Sequence, residues 1–227
     1  MKGGPRDIVI TIDGPAGAGK STVATALARR LGFTLVDTGA LYRGLAWAVQ
    51  EAGVAPEDGP ALRAVLERTS VRLEGARVLV DGRDVSAEIR TPAISHLTSR
   101  LTTLGVVRDK MTPIQRALAA AGGVVLEGRD TGSVVWPDAE VKFYLDADLD
   151  TRARRRRDDL AARGLDADLE TVREDVVRRD RLDMERALAP LVKPEGAVVV
   201  DTTGRGIVEV VDELVRVVEQ ARCCTRS

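Results

Sequence analysis

The chain has few aromatic residues and little cysteine. Aromatic residues make up 3% of its 227 residues, and cysteine occurs twice. An aromatic content this low excludes a stacking platform for single-stranded nucleic acid. Cys223 and Cys224 are adjacent, so they provide neither a disulfide framework nor the spacing of metal ligands. We therefore expect a reducing, cytoplasmic setting, and we interpret the tail around these two residues as disordered.

The chain also lacks a long apolar run and an excess of charge of one sign. No apolar stretch approaches the roughly 18 residues that a membrane span needs, and residues 1–7 lack the apolar core of a signal peptide. The formal net charge is −1, so no overall field attracts the protein to nucleic acid or to an acidic membrane. Nothing in the sequence indicates an obligate interface, and a monomer is expected.

Lysine is scarce, whereas arginine is abundant. Of the 34 basic residues, five are lysines and 29 are arginines. Because arginine is the ordinary cation of this chain, a single arginine says little about function. Lys20 says more, because it lies in a glycine-rich segment where a lysine has a specific use.

The segment around Lys20 runs from an apolar strand through a glycine-rich turn into a helix. Residues 14–22, here called the phosphate loop, match the pattern G-x-x-x-x-G-K-[ST]. The glycines let successive N–H groups point at a phosphate, aided by the positive end of the following helix. Lys20 supplies a cation for the outer phosphates, and the Ser21 hydroxyl is a magnesium ligand. The loop predicts a nucleoside triphosphate site made of Gly14, Pro15, Ala16, Gly17, Ala18, Gly19, Lys20, Ser21 and Thr22.

Strands and helices alternate along the rest of the chain. Buried strands are predicted at 8–13, 34–36, 124–126, 141–145 and 197–200, with helical patterns between them. This alternation predicts an α/β fold around a five-stranded parallel sheet. Residues 70–80 alternate apolar and polar side chains on both sides of Gly75, which indicates a small antiparallel meander. We divide the single domain into a core (1–61, 102–150 and 187–222), an insert (62–101) and a lid region (151–186).

Polar residues follow the predicted core strands. Ligands of open α/β sheets bind outside the carboxyl ends of the strands. Arg129 and Asp130 come directly after a buried strand and a glycine, which places a cation and an acceptor at the sheet edge nearest the phosphate loop. Asp146 and Asp201 we interpret as ordinary residues at strand ends.

Six segments of the chain resemble the bacterial cytidylate kinases, which belong to the nucleoside monophosphate (NMP) kinases. In family order, the segments are TIDGPAGAGKS at 11–21, DTGALYR at 37–43, EIRT at 88–91, EGRDTG at 127–132, FYLDA at 143–147 and APL at 189–191. The resemblance implies a three-layer P-loop kinase fold with an NMP-binding insert and a helical lid. It also implies transfer of the γ-phosphoryl group of ATP to CMP or dCMP, with Mg²⁺.

The resemblance implies roles for individual residues. Some would hold the acceptor phosphate with planar guanidinium groups, which engage two oxygens at once; others would contact cytosine or ribose. Asp130 would accept a hydrogen bond from the exocyclic amine of the base. The acceptor-binding residues implied are Thr38, Tyr42, Arg43, Ser99, Arg108, Arg129, Asp130, Arg179, Asp183 and Arg186. The catalytic residues implied are Lys20, Arg129, Arg155, Arg156 and Arg186.

An arginine-rich helix is predicted at 151–163. In the family that the chain resembles, this region is a mobile lid that excludes water from the phosphates. Arg152, Arg155 and Arg156 match the lid positions, whereas Arg154 and Arg157 are interpreted as solvent-facing. Acidic residues nearby dilute the basic run, which disfavours a nucleic-acid surface.

Two other functions stay open at this point. The chain could be a kinase of another small acceptor, but an alcohol would need a general base and fewer phosphate-binding arginines. It could also be a nucleotide-dependent switch. A guanine-reading Asn-Lys-x-Asp segment would support a switch, and the sequence has none.

Overall fold

The computed structural model describes residues 7–225, with side chains described up to residue 223. Within these residues, 7–35 and 121–225 form one unit, and residues 36–120 form a second. None of the helices within residues 7–225 combines the length and the apolar character needed to cross a bilayer. The strands and helices, in chain order, are β1 (Val9–Asp13), α1 (Lys20–Leu31), β2 (Thr34–Asp37), α2 (Thr38–Glu51), α3 (Pro60–Arg68), β3 (Val71–Glu74), β4 (Arg77–Val80), β5 (Arg83–Asp84), α4 (Pro92–Leu101), α5 (Gly105–Ala119), β6 (Val124–Glu127), β7 (Val141–Asp146), α6 (Leu149–Ala161), α7 (Leu169–Glu185), β8 (Val198–Asp201) and α8 (Ile207–Thr225).

A five-stranded sheet in the order β2-β6-β1-β7-β8 organises the first unit. The central strand β1 pairs in parallel with β6 and β7, and Ile10 lies opposite Val125 on one side and Val141 on the other. All five residues of β1 are buried, because the strand has neighbours on both edges and helices flank the sheet. The predicted α/β fold with a five-stranded parallel sheet is confirmed.

The apolar core of this unit lies between the sheet and the helices α1 and α8. Leu27 of α1, Phe143 of β7 and Leu214 of α8 are fully buried in it. The helix α1 ends at Gly32, whose φ of 69° reverses the chain into β2. The carboxyl end of β1, at Asp13, lies directly before the phosphate loop.

The C-terminal helix corrects one prediction. The polar residues around Cys223 predict a disordered tail, and this prediction is wrong, because α8 continues to Thr225 and includes both cysteines. The helix continues because residues beyond 218, where the sequence predicts its end, still make contacts with the rest of the unit. Arg222 pairs with Asp7 at 3.1 Å and stacks over the ring of Phe33 at 5.4 Å. Residues 226 and 227 lie outside the described part of the chain.

The second unit has a core of its own. Its sheet, β3-β4-β5, is antiparallel, so the predicted meander is confirmed and gains a two-residue third strand. The helix α2 packs against β3, β4 and α4, with Leu41, Leu45 and Val49 fully buried. The boundaries of the predicted insert and lid stay predictions.

Close packing of α2 on the small sheet makes Gly44 sensitive to substitution. In an open helix, Gly→Ala stabilises by up to about 1 kcal/mol. Here a Cβ at position 44 would lie 2.9 Å from Cγ1 of Val78 and 3.2 Å from Cγ1 of Val71. We therefore expect Gly44→Ala to lower the free energy of unfolding by about 1–3 kcal/mol, as overpacked cores do.

Urea unfolding of four proteins checks this: wild type, Gly44→Ala, Val78→Ala and the double variant. Because Val78→Ala removes the nearest methyl group, the second substitution should recover part of the loss. Strictly additive losses, or a Gly44→Ala variant as stable as wild type, would contradict the expected clash.

Candidate active site

The phosphate loop takes its shape from glycines that its neighbours leave no room to replace. At Gly14, with φ of 147°, a Cβ would lie 2.0 Å from the backbone oxygen of Leu145. At Gly17, with φ of 77°, a Cβ would lie 2.6 Å from the backbone oxygen of Arg152. Gly19 directly precedes α1, and no side chain caps the first turn of this helix. A helix that begins in this way is suited to bind a phosphate group.

Lys20 is buried at the start of α1. Its Nζ donates to the backbone oxygen of Pro15 at 2.7 Å, so the amine lies against its own loop. Burial, followed by the nearby charge of Arg129, lowers the pKa of Lys20 from 10.5 to about 7, with Glu127 acting in the opposite direction. The ammonium form therefore lacks sufficient negative charge around it, which phosphate groups would supply.

The hydroxyl of Ser21 and the carboxylate of Glu127 face each other beside the loop. Ser21 Oγ donates to Glu127 Oε2 at 3.1 Å, and Glu127 is buried at the end of β6. Hydroxyl and carboxylate oxygens are the donors that Mg²⁺ prefers, and it usually takes only one or two from protein. Among the described residues, no three His, Cys, Asp or Glu side chains cluster as metal ligands. The pair fits a magnesium ion that also binds phosphates.

Four residues predicted to bind the acceptor form one buried ion-pair network. Arg129 Nε donates to Asp183 Oδ2 at 3.0 Å, and Arg186 Nη2 donates to Asp130 Oδ1 at 3.2 Å. Arg186 Nη1 lies 3.9 Å from Asp183 Oδ1 and links the two pairs. The turn after β6 supplies two of these residues, and the C-terminal end of α7 supplies the other two. The structure thus brings together residues more than 50 positions apart.

The charges in this network depend on one another. Burial alone would lower the pKa of Arg129, but the carboxylates of Asp183 and Glu127 outweigh it and raise that pKa. Burial alone would raise the pKa of Asp183, but Arg129, Arg179 and Arg186 lower it below its ordinary value. Arg179 also lowers the pKa of Lys20. The arginines therefore stay charged in a buried place, where a phosphate dianion can bind them.

Asp13 fixes the turn that carries Arg129 and Asp130. Its carboxylate accepts hydrogen bonds from the Thr131 N–H and hydroxyl, both at 2.8 Å, and from the Gly132 N–H at 2.7 Å. Burial raises the pKa of Asp13, and these hydrogen bonds oppose the rise. Neither Asp13 nor Glu127 is among the site residues predicted from the sequence. Each lies at the carboxyl end of a core strand. Ligands of open α/β sheets bind at that edge, so this position could have identified both residues.

The predicted lid arginines differ in their surroundings. Arg155 donates to the hydroxyl of Thr202 at 2.8 Å and to its backbone oxygen at 2.7 Å. A Cβ at Gly19 would lie 3.5 Å from Arg155 Nη1, so this guanidinium lies beside the loop. Arg156 is half-buried on the same helix, and its role stays a prediction. Among the residues interpreted as solvent-facing, Arg154 is exposed and Arg157 pairs with Asp158 at the surface.

In the second unit, three predicted acceptor residues lie on the first turns of α2. Asp37 caps this helix by accepting from the Ala40 N–H at 2.7 Å. Thr38 and Tyr42 are buried, and Arg43 pairs with Asp37 at 2.9 Å. The cap thus also orients an arginine that we predicted to bind phosphate.

The other two predicted residues of this unit lie on α4 and α5. Ser99 donates its hydroxyl to the backbone oxygen of Ser95 at 3.2 Å. Arg108 is buried, and its Nη1 lies 3.4 Å from the backbone oxygen of Thr102. Both helices pack against α2. The binding roles of all five residues stay predictions.

Comparison with known proteins identifies the family. A family profile described as "Cytidylate kinase" matches residues 10–220. The chain belongs to the cytidylate kinase family. It is 47% identical over 221 residues to the cytidylate kinase of Symbiobacterium thermophilum, which covers 95% of this chain and 98% of the relative. The cytidylate kinase of Geobacter sulfurreducens is 46% identical over 226 residues, with coverages of 98% and 97%.

A solved structure shares the fold at low identity. The crystal structure of an uncharacterized protein from Eubacterium ventriosum matches with a TM-score of 0.54 and 13% identity, over 94% of this chain and 99% of that one. At this identity the likeness shows the fold alone. Family membership, in contrast, confirms the resemblance seen in the sequence and makes the chain a nucleotide-binding phosphotransferase.

In a kinase of this family, the shifted pKa of Lys20 predicts a proton uptake that is measurable on nucleotide binding. At pH 8 the amine is mostly neutral, because its pKa is about 7. Bound triphosphate favours the ammonium form, and phosphate groups, with a second pKa of about 6, are already ionised at this pH. We expect uptake approaching one proton per ATP bound at pH 8 and much less at pH 6.

Calorimetric titration in buffers of different ionisation enthalpy measures this uptake, with Lys20→Met as the matched control. Equal uptake by wild type and Lys20→Met would show that Lys20 does not titrate in this range.

The shifted pKa of Lys20 also has a consequence for stability. Between pH 7 and 10.5 the unfolded state binds more protons at Lys20 than the folded state, so stability should rise with pH in this window. Lys20→Met should remove that contribution.

Proposed function

We propose that the protein transfers the γ-phosphoryl group of ATP to CMP or dCMP, with Mg²⁺, and releases ADP and CDP or dCDP. The observation that supports this most is the buried network of Arg129, Asp130, Asp183 and Arg186, which is electrostatically coupled to Lys20 of the phosphate loop. Phosphoryl transfer requires that two polyanions be aligned and that the charge on the moving group be neutralised. A phosphate loop and a second set of phosphate-binding cations are the two parts that this reaction needs.

The donor would bind at the phosphate loop. Backbone N–H groups of residues 14–22 would surround its phosphates, and Lys20 would leave Pro15 to reach the outer ones. Ser21, with Glu127 beside it, would hold Mg²⁺. When bound, Mg²⁺ neutralises the negative charge of the phosphates of the donor.

The acceptor phosphate would bind Arg129 and Arg186. In the structure each guanidinium pairs with a carboxylate, which fixes its position and keeps it charged before substrate arrives. A phosphate dianion can take over these donors bidentately. With a second pKa of about 6, the CMP phosphate is already a nucleophile at neutral pH, so the reaction needs no general base.

Asp130 would select cytosine. A carboxylate accepts hydrogen bonds and does not donate them, so it suits the exocyclic amine of cytosine and repels the carbonyl oxygen of uracil. Its pairing with Arg186 restrains the side chain. Thr38, Ser99 and Arg108 would complete the base contacts, and Tyr42, Arg43 and Arg179 would contact ribose and phosphate, as the family resemblance implies.

The lid residues would protect the reaction from water. Arg155 lies beside Gly19 and would, with Arg156, donate to the phosphoryl group in transfer. Excluding water keeps ATP from being hydrolysed when no acceptor is bound. We propose that the protein works as a monomer in pyrimidine nucleotide metabolism in the cytoplasm.

A panel of acceptors tests the proposed function. Release of ADP from ATP and Mg²⁺ would be measured with CMP, dCMP, UMP, AMP, GMP and shikimate. We expect rapid turnover with CMP and dCMP, weak turnover with UMP and none with the others. ATP binding without turnover of any acceptor would refute the kinase assignment and favour a nucleotide-dependent switch. Preference for shikimate or a purine nucleotide would refute the assignment of CMP and dCMP as the acceptors.

The role of Asp130 can be tested separately from overall turnover. Asp130→Ala removes the acceptor for the cytosine amine, so kcat/KM for CMP should fall by about 100-fold or more. The rate with UMP should fall much less, because UMP never made this contact. The ratio of kcat/KM for CMP over UMP is the readout, and Glu185→Gln on the surface of α7 is the control. An unchanged ratio in Asp130→Ala would remove Asp130 from the base site.

A further inference from the structure

Asp180 of α7 joins the lid region to the phosphate loop. Its Oδ1 accepts a hydrogen bond from the Ala16 N–H at 3.0 Å, across 164 positions of sequence. Its Oδ2 pairs with Arg152, the fourth residue of α6. Both side chains are about nine-tenths buried in the first unit. The carboxylate of Asp180 thus links α7 both to the phosphate loop and to α6.

Arg152 holds the same part of the loop from α6. Its Nη1 donates to the backbone oxygen of Ala16 at 3.1 Å, and its Nε donates to that of Ala147 at 3.0 Å. The backbone of Arg152 also lies directly over Gly17, where a Cβ would come within 2.6 Å of its oxygen. The N–H and the C=O of Ala16 are therefore both bound by this one ion pair.

Several ion pairs of α7 lie within the helix itself. Arg181 pairs with Glu185 one turn away, and both side chains are more than 60% exposed. Exposed pairs of this kind contribute little to stability. Asp180 differs because it is buried and its partners lie on other elements. Burying a pair costs the desolvation of both ions, and in some proteins such a pair specifies one structure.

Asp180 and Asp183 attach α7 at two points one helical turn apart. Asp180 binds the loop and Arg152, whereas Asp183 binds Arg129 of the acceptor network. At 1.5 Å per residue, these attachments are about 4.5 Å apart along the helix axis. A displacement of the loop would therefore move the acceptor network with it.

We infer that Asp180, acting through Ala16 and Arg152, is a positioning residue that sets the phosphate loop in register with the acceptor-binding residues of α7. This inference rests on the proposed function, since it assigns the donor to the loop and the acceptor to the network. The two carboxylate oxygens of Asp180 bind the Ala16 N–H and Arg152, so its role is assigned through these partners. It fixes the backbone and the arginine that would surround the donor.

Two substitutions at Asp180 separate its hydrogen bond from its charge. Asp180→Asn keeps an oxygen for the Ala16 N–H but loses the charge that pairs with Arg152; Asp180→Ala loses both. A displacement of about 1 Å at a reacting centre can cost on the order of 100-fold. We expect the Kd for ATP to rise about tenfold in Asp180→Asn and about 100-fold in Asp180→Ala, with a fall in kcat for CMP.

The experiment measures ATP binding by calorimetry without acceptor, then kcat and KM with CMP, and the melting temperature of every variant. Glu185→Gln, which breaks an exposed pair on the same helix, is the control and should behave like wild type. Arg152→Met and the double variant Asp180→Asn/Arg152→Met complete a cycle. We expect the two single effects on Kd to overlap, so that the double variant is no weaker than the worse single one.

The outcomes distinguish this inference from a structural role and from the proposed function. Asp180 variants that melt earlier but, when folded, bind ATP and turn over CMP like Glu185→Gln would overturn the inference, as would additive effects in the cycle. If Asp180→Ala does not fold, Asp180→Asn alone decides. If wild type binds ATP but phosphorylates no nucleotide, the proposed function fails, while loss of ATP affinity in Asp180→Asn would still support loop positioning.

Discussion

Pairing of largely buried arginines with buried carboxylates is the constraint on which the site depends. Three such pairs surround the phosphate loop and the turn after β6: Arg129 with Asp183, Arg186 with Asp130, and Arg152 with Asp180. Each ion removed from water costs several kcal/mol unless it is paired and hydrogen-bonded. The carboxylates therefore decide where each guanidinium can lie, and the guanidinium groups in turn fix α6 and α7 against the loop.

The same constraint makes the site ready for phosphate. An arginine that is already desolvated and fixed loses little freedom when a phosphate replaces its carboxylate partner, and the two oxygens of either group match its planar fork. Lys20 complements this. Burial, followed by the charge of Arg129, lowers its pKa to about 7, and the negative charge of bound phosphates would favour the ammonium form. Lys20 and these arginines are thus placed to neutralise the charge of bound phosphates, which a kinase requires for two polyanions.

Glycine and aspartate share the work of shaping the backbone around these charges. Gly14 and Gly17 let β7 and α6 approach the loop more closely than any side chain would allow. Asp13 binds the N–H groups of residues 131 and 132 in the turn after β6, and Asp180 binds the N–H of Ala16 within the loop. Neither aspartate is proposed to contact substrate. Asp13 fixes the turn that carries Arg129 and Asp130, and Asp180 fixes Ala16 and Arg152 beside the proposed donor site.

The sequence by itself determined the local and repeated features: the strand–loop–helix around Lys20, the strand alternation, the meander and the segments that carry the family resemblance. Each depends on residues within a few positions of one another. Tertiary structure alone decided which of 29 arginines are buried, that α8 continues through Cys223, and that Asp180 serves the loop. Asp180 stands among arginines in a polar helix and looks like a surface residue, because its partner Ala16 lies 164 positions away. Long-range pairing of this kind leaves no local pattern, and only the packing of α6 and α7 on the loop creates it.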